Sequence, residues 1–414
     1  MYNRDKILNK LQEAWNHMLA VSESMMPGAE NMISDISDLP TEDEFHHDLP
    51  VTEQGIEDAP VKDIDPMDIA KSKTDDPNIA KGIATAREKP AAAYKREKGL
   101  TNPETGKPYQ TAERPQRLIH SSALLKILTP EGTEIDQEKL KQLITVRPKQ
   151  IIAQNSKLAS SGAAAGEVFY DLTLPAYQGL FYNEKLGKFQ VVKTCPSAGA
   201  CKAYCYATGG GYVQYEGPWL SSTRMINFLM NDYKGFKAQL LSELKSAVAT
   251  AAKKGKKVVL RWHDSGDFYS ESYLLMAFDI ARQTPEVRHY AYTKQVDMVK
   301  KHEAQKPDHF IFNFSKGGTQ DAQVDFETKK HSKVVPYVLF KDLTLPLKPE
   351  DAPILKDRIA NHYNIDRNTL VTYDELVKMP VSKEKNKYNV IVGKGAGDDA
   401  AAREDVLGTY LLIH

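Results

Sequence analysis

The sequence predicts an α/β protein: a mostly parallel sheet crossed by helices, as an incomplete or modified (β/α) barrel, with an extended acidic N-terminal arm. Three observations predict it. Beyond Lys256, short β-branched and aromatic runs alternate with stretches of helical periodicity. Polar residues follow those runs directly, where parallel strands present their functional groups. The only cysteines in the 414 residues, Cys195, Cys201 and Cys205, share one loop after strand-like segments.

Along the chain the elements fall in order. Leu8, Leu11, Trp15, Met18 and Leu19 share one helical face, so residues 1–30 are expected to form an amphipathic helix, docked on its own domain or on a partner. Ser34 to Asp68 carries twelve Asp or Glu against one lysine, with interspersed prolines. Residues 31–115 therefore read as an acidic and polar arm of low order. The α/β domain is expected over 116–414. "EVFYDLTLPA" reads as a strand, "LFYNEKLGKFQVV" as a hairpin, and the stretch from Trp219 to a stop at Gly255 as helical. "KKVVLRWH", "VRHYAYTK", "HFIFNFS", "KVVPYVLF" and "YNVIVGK" read as strands. A helix opened by Ser270 and closed before Pro285 separates the first two, and "VDMVKKHEAQKP" supplies another.

Composition narrows the function classes. Lysine plus arginine equals aspartate plus glutamate at 55 each, so no global charge draws the chain to nucleic acid or membrane. No apolar run approaches the roughly 20 residues of a membrane span, and no signal peptide opens the chain, so a soluble intracellular protein is expected. Three cysteines at C-x5-C-x3-C do not form a disulfide framework and point to metal, cluster or redox chemistry. Three thiolates fit a [4Fe–4S] cluster with one iron left without a protein ligand. Zinc is the alternative, with a distant histidine such as His263 or His289 completing the set.

Other candidates lie at strand ends. "RWHDSGD" places Arg261, His263, Asp264 and Asp267 together, which suits acid–base work or a metal-dependent hydrolase. Lys294 could hold a carboxylate or phosphate or form a Schiff base. Asn313 and Ser315 alternate with phenylalanines and share one face of a strand. "ATGGGY" allows close backbone approach but lacks any phosphate-loop pattern.

"NSKLASSG", "YDLTLPA", "TCPSAGACKAYCYATGGGY", "RWHDSGDFYSESYL" and "PEVRHYAYTK" together resemble the phage gene product 88 family, over about Asn155 to Lys394. They also resemble radical S-adenosylmethionine enzymes, whose cysteines commonly follow C-x3-C-x2-C; both gaps here are longer. The resemblance implies a cluster on Cys195, Cys201 and Cys205, with Tyr204 and Tyr206 near the adenine. It implies Ser265, Gly266 and Asp267 near the methionine end, in place of a Gly-Gly-Glu-like segment. His263, Asp264, Lys294 and Asn313 would then face substrate, with a nucleotide, nucleic acid or host macromolecule as the expected class and a nucleobase foremost. It also implies the cytoplasm of an infected bacterial host. The alternatives are a zinc-stabilised binding module without catalysis and a hydrolase using His263, Asp264 and Asp267.

Overall fold

The computed structural model describes residues 58–64 and 118–412, apart from short stretches at 130–134, 156–157, 160–161, 163–165, 209–211, 213–214, 346 and 394–396. The expected N-terminal helix and most of the acidic arm lie outside the described residues. Seven residues of that arm are described, and they pack on the domain. Val61–Asp63 (β1) pairs antiparallel with Lys188–Lys193 (β4), which pairs in turn with Gln178–Asn183 (β3). The β3–β4 hairpin is the one expected, turning through Gly187 at a φ of 65°. Just ahead of β1, the Asp58 carboxylate accepts hydrogen bonds from the backbone N–H groups of Glu271 and Ser272.

The main sheet has eight strands, and every paired neighbour is parallel. They are Glu167–Asp171 (β2), Lys257–Trp262 (β5), Val287–Thr293 (β6), Phe310–Ser315 (β7), His331–Val335 (β8), Leu370–Thr372 (β9), Tyr388–Val392 (β10) and Val406–Leu412 (β11). Their order is β2-β5-β6-β7-β8-β11-β10-β9. The chain steps outward from β5 to β8, jumps to the far edge as β9, and returns through β10 to β11. The edge strands β2 and β9 do not pair, so the expected incomplete barrel is an open sheet.

Parallel neighbours need crossover connections, and the helices supply them. Ahead of the sheet come Ser121–Ile127 (α1) and Gln137–Ile144 (α2), which pack with β3 and β4. Glu216–Asn231 (α3), Tyr233–Ala252 (α4) and Glu271–Gln283 (α5) bury Leu229, Phe236, Leu240, Tyr273 and Phe278 against Val258, Leu260, Trp262, Phe310 and Phe312. Val296–Lys301 (α6) buries Val299 in the same layer. Ala352–Tyr363 (α7) packs on Leu370, Ile391 and Tyr410. On the reverse path, Tyr373–Leu376 (α8) and Asp398–Ala402 (α9) pack on Val371, Val390 and Val392. Residues one apart on a strand point to opposite faces, so α7 lies on one face and α8 and α9 on the other.

The single helix expected from Trp219 to Gly255 is two. Asp232 leaves helical geometry at φ −138°, ψ 70° and caps α4 by accepting from the Gly235 N–H. Strands β9 and β11 were not read from the sequence. Strand β11 has Gly408 in its interior, where an added Cβ would lie 2.5 Å from Asn389 Oδ1.

Candidate functional site

The cysteine loop is held from two sides. On one side stands Tyr177, at the start of the hairpin. Its carbonyl accepts from the N–H groups of Thr194 (2.7 Å) and Cys195 (3.2 Å), and its own N–H donates to Cys195 Sγ at 3.4 Å. Its hydroxyl donates to the Lys202 carbonyl at 2.9 Å and touches the Cys205 side chain. Tyr177 does this from a left-handed φ of 61°, a region that L side chains seldom adopt. On the other side stands the turn after β7. The Gly317 carbonyl accepts from the N–H groups of Gly199 (3.2 Å) and Cys201 (2.9 Å). A Cβ at Gly199 would sit 3.0 Å from the Gly318 carbonyl carbon, so the two chains meet as bare backbone.

The three thiols are free and partly buried around Tyr177. Burial, and then the neighbouring thiols, push the Tyr177 phenol up. Burial also raises the Cys195 thiol, with the Asp267 carboxylate adding to the effect. Burial likewise raises Cys201, where Lys294 opposes it as the largest counteracting influence. Cations beside thiols favour the thiolate, the form that binds metal.

Asp267 is the hub of the carboxyl edge. Its Oδ1 accepts from Thr293 Oγ1 (2.7 Å) and the Phe268 N–H (2.8 Å), and its Oδ2 from the Lys294 N–H (2.8 Å). Its own N–H donates to the Thr194 carbonyl at 2.8 Å, beside Cys195. Burial raises its carboxyl, while these donors oppose the shift. Lys294 Nζ donates to Ser315 Oγ at 2.8 Å. Cys195, Cys201, Asp267 and Lys294 thus come from separate segments to one edge of the sheet. Asp267→Ala should leave buried donors unanswered, cost roughly 3 kcal/mol, and loosen the turn that carries the loop from the end of β6. Denaturant titration and the rate of thiol labelling should both register it. Unchanged stability with unchanged thiol protection would show that Asp267 does not hold the loop.

The other predicted residues go elsewhere. His263 sits at a φ of 65° with Nε2 2.8 Å from the Tyr273 hydroxyl, and its ring meets Phe268 at 4.6 Å between centroids. Burial, and then Arg261, push its pKa down to about 3. It is a neutral member of the aromatic core and faces no thiol. Ser265 Oγ donates to the Leu174 carbonyl, and Gly266, at φ 90°, approaches Leu174 so closely that a Cβ would lie 2.7 Å from its side chain. Both are used for packing. Asp264 accepts from the Tyr206 hydroxyl (3.2 Å) and the Tyr212 hydroxyl, with Arg261 Nη1 at 3.5 Å. The Asn313 amide donates to the Ala401 carbonyl of α9 at 3.0 Å, so its hydrogen bond goes to the packing of α9. Tyr204 closes the short 3-10 turn Ala200–Tyr204 in the loop.

These placements separate the rival ligand sets. His263, Asp264 and Asp267 bond to separate partners, and among the described residues no three His, Cys, Asp or Glu side chains are grouped so as to hold the metal of a hydrolase. His289 is buried between Trp262 Nε1 (3.1 Å) and Thr284 Oγ1 (3.0 Å), and His263 is committed to Tyr273, so neither histidine completes a zinc site. Tyr177 and the Gly317–Gly318 turn were missed as site elements. The glycine doublet was a legible signal of close approach, while the left-handed tyrosine left none.

An open parallel sheet with a free-thiol loop pinned to its carboxyl edge defines the class: an α/β protein whose candidate chemistry lies at strand ends. The family model described as "Gene product 88" matches residues 147–399. The chain belongs to the gene product 88 family. No curated protein and no solved structure matches it. No helix among the described residues is long and apolar enough to cross a membrane.

Proposed function

We propose that the chain is an iron–sulfur enzyme of the radical S-adenosylmethionine type that its sequence resembles, acting in the cytoplasm of an infected bacterial host. One observation carries the reading: the chain's entire cysteine complement is unpaired and gathered on one loop beside Asp267 and Lys294. The donor chemistry suits a [4Fe–4S] cluster, because three thiolates leave one iron open to a non-protein ligand. When bound, such a cluster supplies an electron to that ligand.

The arrangement of the residues fits less well than their chemistry. Among the described residues, no three His, Cys, Asp or Glu side chains are grouped so as to hold a metal ion. Ser265 and Asp267, matched to S-adenosylmethionine contacts, spend their hydrogen bonds on Leu174, Thr293, Lys294 and Phe268. What the chain's own residues do is clear: Tyr177 and Gly317 fix the loop, and Lys294 counters the effect of burial on the Cys201 thiol.

A nucleobase or nucleic acid is the proposed substrate class. Tyr206, Tyr212, Tyr292 and Arg261 support it by placing π faces and a cation near the loop, with Arg261 5.1 Å from the Tyr292 ring centre. The N-terminal helix and acidic arm are proposed to bind a protein partner or a second copy. Anaerobic reconstitution with iron and sulfide tests the central claim. A brown protein with iron and acid-labile sulfide near the stoichiometry of one cluster supports it. A colourless protein that instead takes up one zinc supports the binding-module alternative.

A further inference from the structure

We infer that the outer edge of β4 and the N-terminus of α5 form one docking surface for an extended, carboxylate-bearing peptide, that the chain's own arm occupies it, and that this occupancy guards Cys195. The inference does not depend on the iron–sulfur reading.

The arm segment 58–64 grips the domain in two places. At its start, the Asp58 carboxylate accepts from the Glu271 N–H (2.6 Å), the Ser272 N–H (3.2 Å) and the Ser272 hydroxyl. Those N–H groups belong to the first turn of α5, where the helix supplies no acceptor of its own. A carboxylate is the group that such a terminus favours. Further on, β1 adds to the outer edge of β4. The Lys193 N–H donates to the Pro60 carbonyl at 3.1 Å, and the Ile64 N–H to the Phe189 carbonyl at 3.3 Å. The Asp63 carboxylate accepts from Gln190 Nε2 (2.6 Å) and Lys188 Nζ (2.5 Å) of the same strand. Strand addition with a side-chain anchor is a recurring mode of peptide recognition.

The two grips close a ring around the root of the thiol loop. Pro60 holds Lys193, which leads through Thr194 to Cys195. Asp58 holds Glu271, at the head of the helix that follows the Asp267 turn. Between those two chains the Asp267 N–H donates to the Thr194 carbonyl at 2.8 Å. The arm therefore ties together, from outside, the same two chains that this hydrogen bond joins inside. The tie is a light one. All three residues of β1 are exposed, and Ala59 and Ile64 pack only at the margins of the buried clusters. A segment with so little apolar contact opens well before the rest of the fold. Its opening takes an acceptor from Lys193 and a cap from α5. Cys201 is anchored elsewhere, at Gly317, and none of these contacts reaches it.

Thiol labelling of the full-length, iron-free chain, resolved for each cysteine by mass spectrometry, tests this. Asp58→Ala removes the cap, and Lys62→Pro removes a backbone donor at the centre of β1. Both positions are exposed. Each variant should label Cys195 faster than the parent by about fivefold or more, while Cys201 keeps the parent rate. A synthetic peptide with the sequence of residues 56–66, added in excess to the Lys62→Pro chain, should restore the protection of Cys195. The same peptide carrying Asp58→Ala should not. If Lys62→Pro does not fold, the Asp58→Ala chain takes the peptide in its place. The proposal is overturned if Cys195 labels at the parent rate in both variants, if Cys195 and Cys201 speed up together, or if the peptide restores nothing.

Discussion

Alanine at any one of Cys195, Cys201 or Cys205 should remove most of the iron from the anaerobically reconstituted chain. The thiols lie on one loop held at Tyr177 and Gly317, so removing one sulfur takes away a third of the protein ligands, and His263 and His289 are committed to other partners. The fold should survive, because no thiol is part of a disulfide. Iron and acid-labile sulfide per chain, measured beside a thermal melt, separate loss of metal from loss of structure. Three single variants that keep full iron and normal melting would end the cluster reading.

The second large effect is on acid stability. Burial pushes His263 and His289 to pKa values of about 3, against 6.5 in an open chain. Between those values the unfolded chain binds protons that the folded chain refuses, so folding stability must fall as pH drops from about 6.5 toward 3. Above 6.5 the contribution is fully present. Each histidine is worth on the order of several kcal/mol across that window. Denaturant midpoints at pH 7, 5.5 and 4.5 should fall steadily. In His289→Gln the fall should be shallower, since one of the two refusing groups is gone. A midpoint independent of pH over that range would show that these histidines are not buried neutral.

Much of this architecture was legible because it depends on local pattern. β-branched runs ending in polar residues marked β5, β6 and β7, and Ser270 marked the start of α5. The hairpin around Gly187 was equally plain. Strand β11 was hidden by Gly408, which weakens the strand pattern at the place where the crowding of Asn389 and His331 demands it. The site was half legible. The cysteines, Asp267 and Lys294 converge because parallel strands end on one edge. Side-chain direction was not legible: His263 was read as facing substrate, but its left-handed backbone turns the ring into the aromatic core. Tyr177 could not be found at all, since its role rests on a backbone angle that no residue pattern announces.

The anchoring of the thiol loop has a kinetic consequence. Cys201 is tied to Gly317, and Thr194 to Asp267, across long stretches of chain. Contacts of such high sequence separation form late, because the entropy of closing the intervening loop is spent before they return anything. During synthesis the three thiols leave the ribosome well before β7 and its glycine turn exist. The nascent chain therefore carries exposed, unanchored cysteines for an interval set by translation and by docking of the sheet. Metal delivered in that interval meets a flexible peptide, and metal delivered afterwards meets a fixed loop. Loading the unfolded chain and loading the folded chain should accordingly proceed at different rates and give different yields of homogeneous protein.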